Sequence, residues 1–182
     1  MVRGEKVTLR AREPGDAPLL AAWQSDPETM RWWDRVYPVL PAELLEPVIA
    51  AAPNPSFEQV SFTIVDTASG TPIGWCGLHG AGAAAKGPSA EHRNAGIGIM
   101  IGDPAFRGGG YGTDATRTLC RFAFERMNLV RVSLVVFPGN AVARRTYERI
   151  GFVEEGRQRA CYWKRGAWHD LVHMAVFPDT LR

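Results

Sequence analysis

Residues 103–112 read DPAFRGGGYG, and the fold is read outward from them. They follow an apolar run at 95–101 (AGIGIMI) that predicts a strand. They precede residues 114–127, which predict a helix with Ala115, Leu119, Phe122 and Ala123 on one face. A strand, a glycine-rich turn and a helix together form a device for binding phosphate. The glycines let the main chain approach an anion, several N–H groups point at it, and the helix N-terminus adds partial positive charge. Arg107 adds a full charge and a two-pronged donor. Two other phosphate-binding turns fail on spacing. A dinucleotide-binding GxGxxG that begins at Gly108 needs glycine at 113, which is Thr113. A triphosphate-binding loop ends in GK[ST], and this turn contains no lysine.

Upstream, residues 7–12 predict a first strand. Pro14 and Gly15 mark a turn, and Asp16 is placed to cap a helix that carries Leu19, Leu20 and Trp23. Pro27 opens a second short helix that runs to Trp33. Residues 38–55 form a proline-rich connection. Residues 61–66 (SFTIVD) and 71–78 pair around a turn at 67–70, and 81–88 is an Ala/Gly-rich loop. Downstream, 132–137 is a nearly all-apolar run, as expected of a strand buried on both faces. Residues 140–150 predict a helix closed by a left-handed Gly151, and strands at 152–157 and 171–176 complete the sheet. Strands followed by strand–helix–strand–helix units imply a mixed α/β (α+β) sheet in a single domain over 1–182.

Of the 182 residues, 46% are hydrophobic and 22% charged, which suits a globular chain and argues against disorder. The net charge of +2, with arginines scattered along the chain, gives no footprint for nucleic acid. Cys76, Cys120 and Cys161 form no CxxC pair. No Cys/His cluster has zinc-ligand spacing, and His79, His92, His169 and His173 make no HExxH, so no metal is expected. The N-terminal residues lack an apolar leader and no run is long enough to span a membrane. The expectation is a cytoplasmic protein with reduced thiols and no membrane partner.

The glycine turn does not stand alone. RGGGYG fits the R/Q-x-x-G-x-G/A signature of the GNAT superfamily of N-acetyltransferases, and the preceding IMIGDPAF resembles that family's strand and its entry into the loop. About thirty residues on, Asn140-Ala-Val-Ala-Arg-Arg-Thr-Tyr147-Glu, closing with Arg-Ile-Gly-Phe152, resembles the family's second cofactor segment. The opening VTLRAR at 7–12 and the closing WHDLVHMA at 168–175 are similar to the branch that acetylates ribosomal-protein N-termini (RimJ/RimL-like). The resemblance implies a splayed sheet with acetyl-CoA, the co-substrate, wedged where two central parallel strands part. It also implies roles. Met100, Ile101 and Gly102 would offer main-chain groups to the pantetheine and thioester. Arg107, Gly108, Gly109, Gly110, Tyr111 and Gly112 would hold the pyrophosphate. Asn140 would bond the pantetheine arm, and Tyr147 would protonate the departing thiolate. The implied reaction is direct acetyl transfer to a primary amine, in the first place a protein or peptide N-terminus. A polyamine or aminoglycoside acetyltransferase and a non-catalytic acyl-CoA-binding module are the alternatives, and a second copy of the chain is admitted as a partner.

Several residues carry two readings. Asn140 is also an ordinary helix N-cap, and Tyr147 could be a core aromatic. Trp32, Trp33 and Tyr37, with Glu28 and Asp34, are either core or an aromatic and acidic wall for a cationic amine. One position departs from the family pattern. Many members carry a glutamate base five residues before the asparagine, and here that position is Val135. The base is unassigned, with Glu91, His92, Asp34 and Asp103 as candidates.

Overall fold

The computed structural model describes residues 1–33, 41, 49, 59–80 and 93–182. Apart from 41 and 49, the expected connection at 38–55 and the loop at 81–88 lie outside the described residues, as do Asp34, Tyr37, Glu91 and His92. The described strands are β1 (Val2–Arg3), β2 (Val7–Ala11), β3 (Gln59–Asp66), β4 (Pro72–Gly80), β5 (Asn94–Ile101), β6 (Arg131–Val136), β7 (Val153–Lys164) and β8 (Ala167–Val176). The helices are α1 (Ala17–Ser25), α2 (Tyr111–Glu125) and α3 (Ala141–Ile150). The strands form one sheet in the order β1-β2-β3-β4-β5-β6-β8-β7. All neighbours are antiparallel except β5 and β6.

The alternation of side chains along each strand sorts the core into two clusters. Val132, Leu134 and Val136 of β6 join Val172, Met174 and Val176 of β8 beneath Ala115, Leu119 and Ala123 of α2 and Ile150 of α3. Met100 joins the second cluster, with Ala17, Leu20 and Trp23 of α1. The expectation that β6 is buried on both faces is corrected. Val135 is 50% exposed, because α2 and α3 cover only the face of Val132, Leu134 and Val136.

The one parallel contact is short. Asn94, Ala95 and Gly96 pair with Arg131, Val132 and Ser133, and beyond them no pairing joins β5 to β6. β5 continues along β4 as far as Ile101, while β6 continues along β8. The sheet therefore parts between its central strands.

Two local expectations change. Asp16 does stand just before α1, but its carboxylate does not cap that helix. It accepts from both Arg10 prongs at 2.6 and 2.8 Å, from the Glu13 N–H at 2.9 Å and from Thr63 Oγ1 at 2.6 Å. Burial pushes its pKa up, but these hydrogen bonds outweigh burial and leave it below the usual carboxylate range. The last two strands extend well past the expected 152–157 and 171–176. Arg165 and Gly166, at φ 51° and 77°, form a two-residue hairpin turn, with Trp163 and Trp168 meeting edge-to-face across the strands at 5.4 Å.

A buried carboxylate ties the start of α2 to the sheet edge. Asp114, 3% exposed, accepts from the main-chain N–H groups of Glu5 at 3.2 Å, Lys6 at 2.7 Å and Val7 at 3.0 Å. Gly4 passes so close that a Cβ there would lie 2.6 Å from the carboxylate. Asp114→Ala would leave those donors without their acceptor, at a cost of about 1–3 kcal/mol for an unsatisfied group and more for several. Urea denaturation is expected to show a loss of roughly 3 kcal/mol; a loss below about 1 kcal/mol would contradict the role given to this carboxylate.

Candidate active site

From β5 the chain enters a 3-10 turn, Pro104–Phe106, capped by Asp103, whose carboxylate accepts from the Ala105 N–H at 2.9 Å. Asp103 thus serves the turn, which weakens it as a candidate base. Gly108 and Gly110 then take left-handed backbone angles, φ 78° and 86°, where a side chain would be strained. Gly110 stands at the N-terminus of α2. The N–H groups of Gly108, Gly109, Gly110, Tyr111 and Gly112 find no acceptor among the described residues. Tyr111 sits beside the Asp66 carboxylate, and its ring packs edge-on to Phe106 at 5.2 Å.

Two cations flank this row of donors. Lys6 Nζ, arriving from 103 residues away, donates to the Gly109 carbonyl at 2.8 Å and lies over the Tyr111 ring. Nothing in the local sequence pointed to it. Arg107 folds back along the strand end. Its Nε donates to the Ile101 carbonyl at 3.1 Å, and its Nη2 donates to the Gly102 carbonyl at 2.8 Å and to Thr29 Oγ1 at 2.7 Å. The side chain braces the turn while its charge stays beside it.

Strand parity decides which main-chain groups face the parting. The Arg93 and Ala95 carbonyls point toward β6, accepting from the Val130 N–H at 2.7 Å and Ser133 Oγ at 3.4 Å. Because direction alternates residue by residue, the N–H and C=O groups of Ile97, Ile99 and Ile101 also face the gap. Those of Met100 face β4, and the Gly102 N–H donates to the Ile73 carbonyl at 2.9 Å. Of the three residues expected to present main-chain groups, Ile101 does so, while Met100 and Gly102 spend theirs on β4 and Arg107. Ile97 and Ile99, which the sequence reading did not name, also turn their main-chain groups to the gap. Met100 is instead a buried side chain, 4% exposed.

Asn140 caps α3, its side chain accepting from the Ala143 N–H at 3.2 Å. Tyr147 is half-buried, its ring against Phe152 at 5.6 Å. Its hydroxyl bonds to none of the described residues. Burial, reinforced by nearby Cys120, pushes its pKa up to about 12. Burial likewise pushes the Cys76 and Cys120 thiols far up, so neither can serve as a nucleophilic thiolate. Cys161 is exposed.

On the other face of the sheet, the segment after α1 bridges the parting. Trp33 packs on Trp75 at 5.0 Å and lies over Gly98 of β5, while Trp32 reaches Phe137 at 6.3 Å and lies over Gly139. Lys164 fastens this segment to β7 by donating to the carbonyls of Met30, at 3.2 Å, and Trp33. Beside it opens a hollow of about 230 Å³ lined by Arg31, Trp32, Phe137, Lys164, Arg165 and His169. An adjoining hollow adds Gly139, Arg157, Trp168 and Asp170. Of the residues expected to form either core or an aromatic and acidic wall, Asp34 and Tyr37 lie outside the described residues; Glu28 pairs with Arg31 at 3.8 Å, and the described lining of the hollow is aromatic and basic.

Residues 6–153 match the family model described as an acetyltransferase (GNAT) domain. YdaF of Bacillus subtilis (strain 168), named as a candidate ribosomal N-acetyltransferase, is 41% identical over 85 residues, which is 47% of this chain and 46% of that protein. The chain thus spans about half the length of that relative. Aminoglycoside N(6')-acetyltransferase type 1 of Klebsiella pneumoniae is 26% identical over 157 residues, 84% of this chain and 76% of its own. Among solved structures, spermidine N-acetyltransferase from Vibrio cholerae in complex with CoA and spermine has a TM-score of 0.83 at 25% identity, covering 96% of this chain and 97% of that one. With the family model spanning the parted strands, the glycine turn and the helix of Tyr147, the chain belongs to the GNAT family of acetyltransferases.

Proposed function

We propose that the chain transfers the acetyl group of acetyl-CoA to the α-amine of a protein or peptide N-terminus by direct attack. The observation that carries the choice of acceptor is the charge of the hollow. Its described lining brings the cations Arg31, Arg157, Lys164 and Arg165 against one carboxylate, Asp170, which is itself bonded to Arg157 at 2.8 Å. A site of that sign repels a polyamine or an aminoglycoside and tolerates a peptide, which brings one amine and many neutral groups.

Amine basicity supports the same acceptor. The attacking nitrogen must be neutral. An α-amine titrates near ~7.8, so roughly one in seven is neutral at pH 7, against about one in 2,500 for a lysine-like amine near ~10.4. With Val135 where the family places glutamate, no carboxylate stands at that position to offset this roughly 350-fold handicap.

In this reading, the N–H row of Gly108, Gly109, Gly110, Tyr111 and Gly112, with Lys6 and the N-terminus of α2, receives the pyrophosphate. The open edge of Ile97, Ile99 and Ile101 supplies N–H and C=O groups to the pantetheine, and Asn140 adds the positive end of α3. As the amine attacks, the carbonyl oxygen gains charge that main-chain N–H groups can stabilise. The C–S bond then breaks, and Tyr147 donates to the departing sulfur. A phenol near 12 facing a thiol near ~8.5 does not give up its proton outright. Tyr147 therefore holds the sulfur by a hydrogen bond and completes the transfer as the nitrogen releases its own proton.

Tyr147→Phe keeps the ring and removes the donor. Turnover is expected to fall about 10²-fold, with CoA affinity little changed. The wild-type profile should show no falling alkaline limb up to about pH 10, because the phenol is lost only as pH rises through about 12. A variant as fast as wild type would remove Tyr147 from the chemistry. For the acceptor, peptides with free N-termini and blocked lysines should react much faster than peptides with blocked N-termini and free lysines, and faster than spermidine. Spermidine outpacing both would overturn the acceptor, and CoA binding without acetylation of any amine would favour the binding-module reading.

A further inference from the structure

The family's base position is empty of acid here, and the sheet register shows what stands beside it. Val135 of β6 pairs directly with His173 of β8. Residues opposite one another on antiparallel strands share a face, with Cβ atoms about 5 Å apart. That face is the open one: Val135 is half-exposed, His173 is partly exposed, and Leu134 and Met174 on the opposite face are buried. The same face carries Gly98 under Trp33 and continues to Phe137 and the basic hollow. An imidazole therefore stands one strand to the side of where a carboxylate would project, on the acceptor side of the parting.

The ring is also held for the task. His173 Nε2 is 3.0 Å from Gln158 Oε1, and in the tautomer that donates from Nε2 to that oxygen the ring carries its lone pair on Nδ1. No described residue bonds Nδ1. Across β7 the ring faces Gly156, which has no side chain to crowd it. A half-exposed histidine with one nitrogen fixed by a neutral amide and the other free has the arrangement of a general base.

We propose that His173 is the general base, a role that rests on the acetyltransferase reading above. Nδ1 takes a proton from the arriving ammonium, directly or across one water. The freed nitrogen pair forms the N–C bond, and the C–S pair leaves on sulfur. Sulfur gains a proton from Tyr147, Tyr147 is refilled by the second nitrogen proton, and the proton on His173 passes to solvent. An imidazole also suits an α-ammonium near ~7.8 far better than a lysine ammonium near ~10.4, in keeping with the acceptor proposed.

The test is His173→Gln with a peptide acceptor, compared with wild type from pH 7 to 9.5, alongside CoA affinity by calorimetry. At pH 7 the variant is expected to lose about 10²-fold in kcat/KM, with CoA affinity unchanged. The deficit should shrink toward pH 9.5, because the α-amine then deprotonates itself. A variant within twofold of wild type at pH 7 overturns the proposal. So does a deficit that is constant with pH or comes with weakened CoA binding, either of which would mark a packing role. If wild type acetylates no peptide, the acceptor reading falls and this proposal with it.

Discussion

Beyond Gly96 and Ser133 the two central strands share no pairing, and one main-chain edge of β5 is left facing a gap. Backbone N–H and C=O groups are obligatory hydrogen-bonding groups, and leaving them unmet in a protein interior costs free energy comparable to a lost hydrogen bond. The edge of Ile97, Ile99 and Ile101 is therefore a standing demand for a polar partner along its length. Arg107 meets that demand at one point, the Ile101 carbonyl, and the rest is open to a ligand with an extended chain of amide groups. The sheet can part here only because β4 and β8 keep each central strand paired on its other side.

The ends of the gap are held by groups distant in sequence. Asp114 gathers the N–H groups of Glu5, Lys6 and Val7, and the same short connection brings Lys6 Nζ to the Gly109 carbonyl. The buried carboxylate thus fixes the start of α2 and delivers the second cation of the turn. On the opposite face, Lys164 ties the Trp32–Trp33 segment to β7, so that Trp33 lies over β5 and Trp32 over the turn that follows β6. One face of the parting is a donor-rich cradle and the other an aromatic, basic hollow.

Features set by local chemistry were legible in the chain. The glycine-rich turn before α2, the left-handed Gly151 and Asn140 as the cap of α3 could be read from residue type and spacing. Features set by strand register were not. Whether Met100 or Ile99 faces the gap depends on which partner each strand finds, and a shift of one residue reverses every assignment. The pairing of Val135 with His173 is likewise invisible until β6 and β8 are aligned. The long β7–β8 arm escaped because a bulge between Gln158 and Tyr162, with Ala160 at φ 45°, breaks the alternation that would have announced it. Lys6 lay too far away in sequence for any local pattern to connect it with the turn.

The most direct measurement of the central claim is amide hydrogen exchange with and without saturating CoA. If the parted edge and the glycine turn are the binding surface, exchange should slow most in peptides covering 97–101 and 108–112. Peptides from β2 and β3, already paired on both sides, should change little. Protection confined to other segments, or none in either stretch at saturation, would contradict the account.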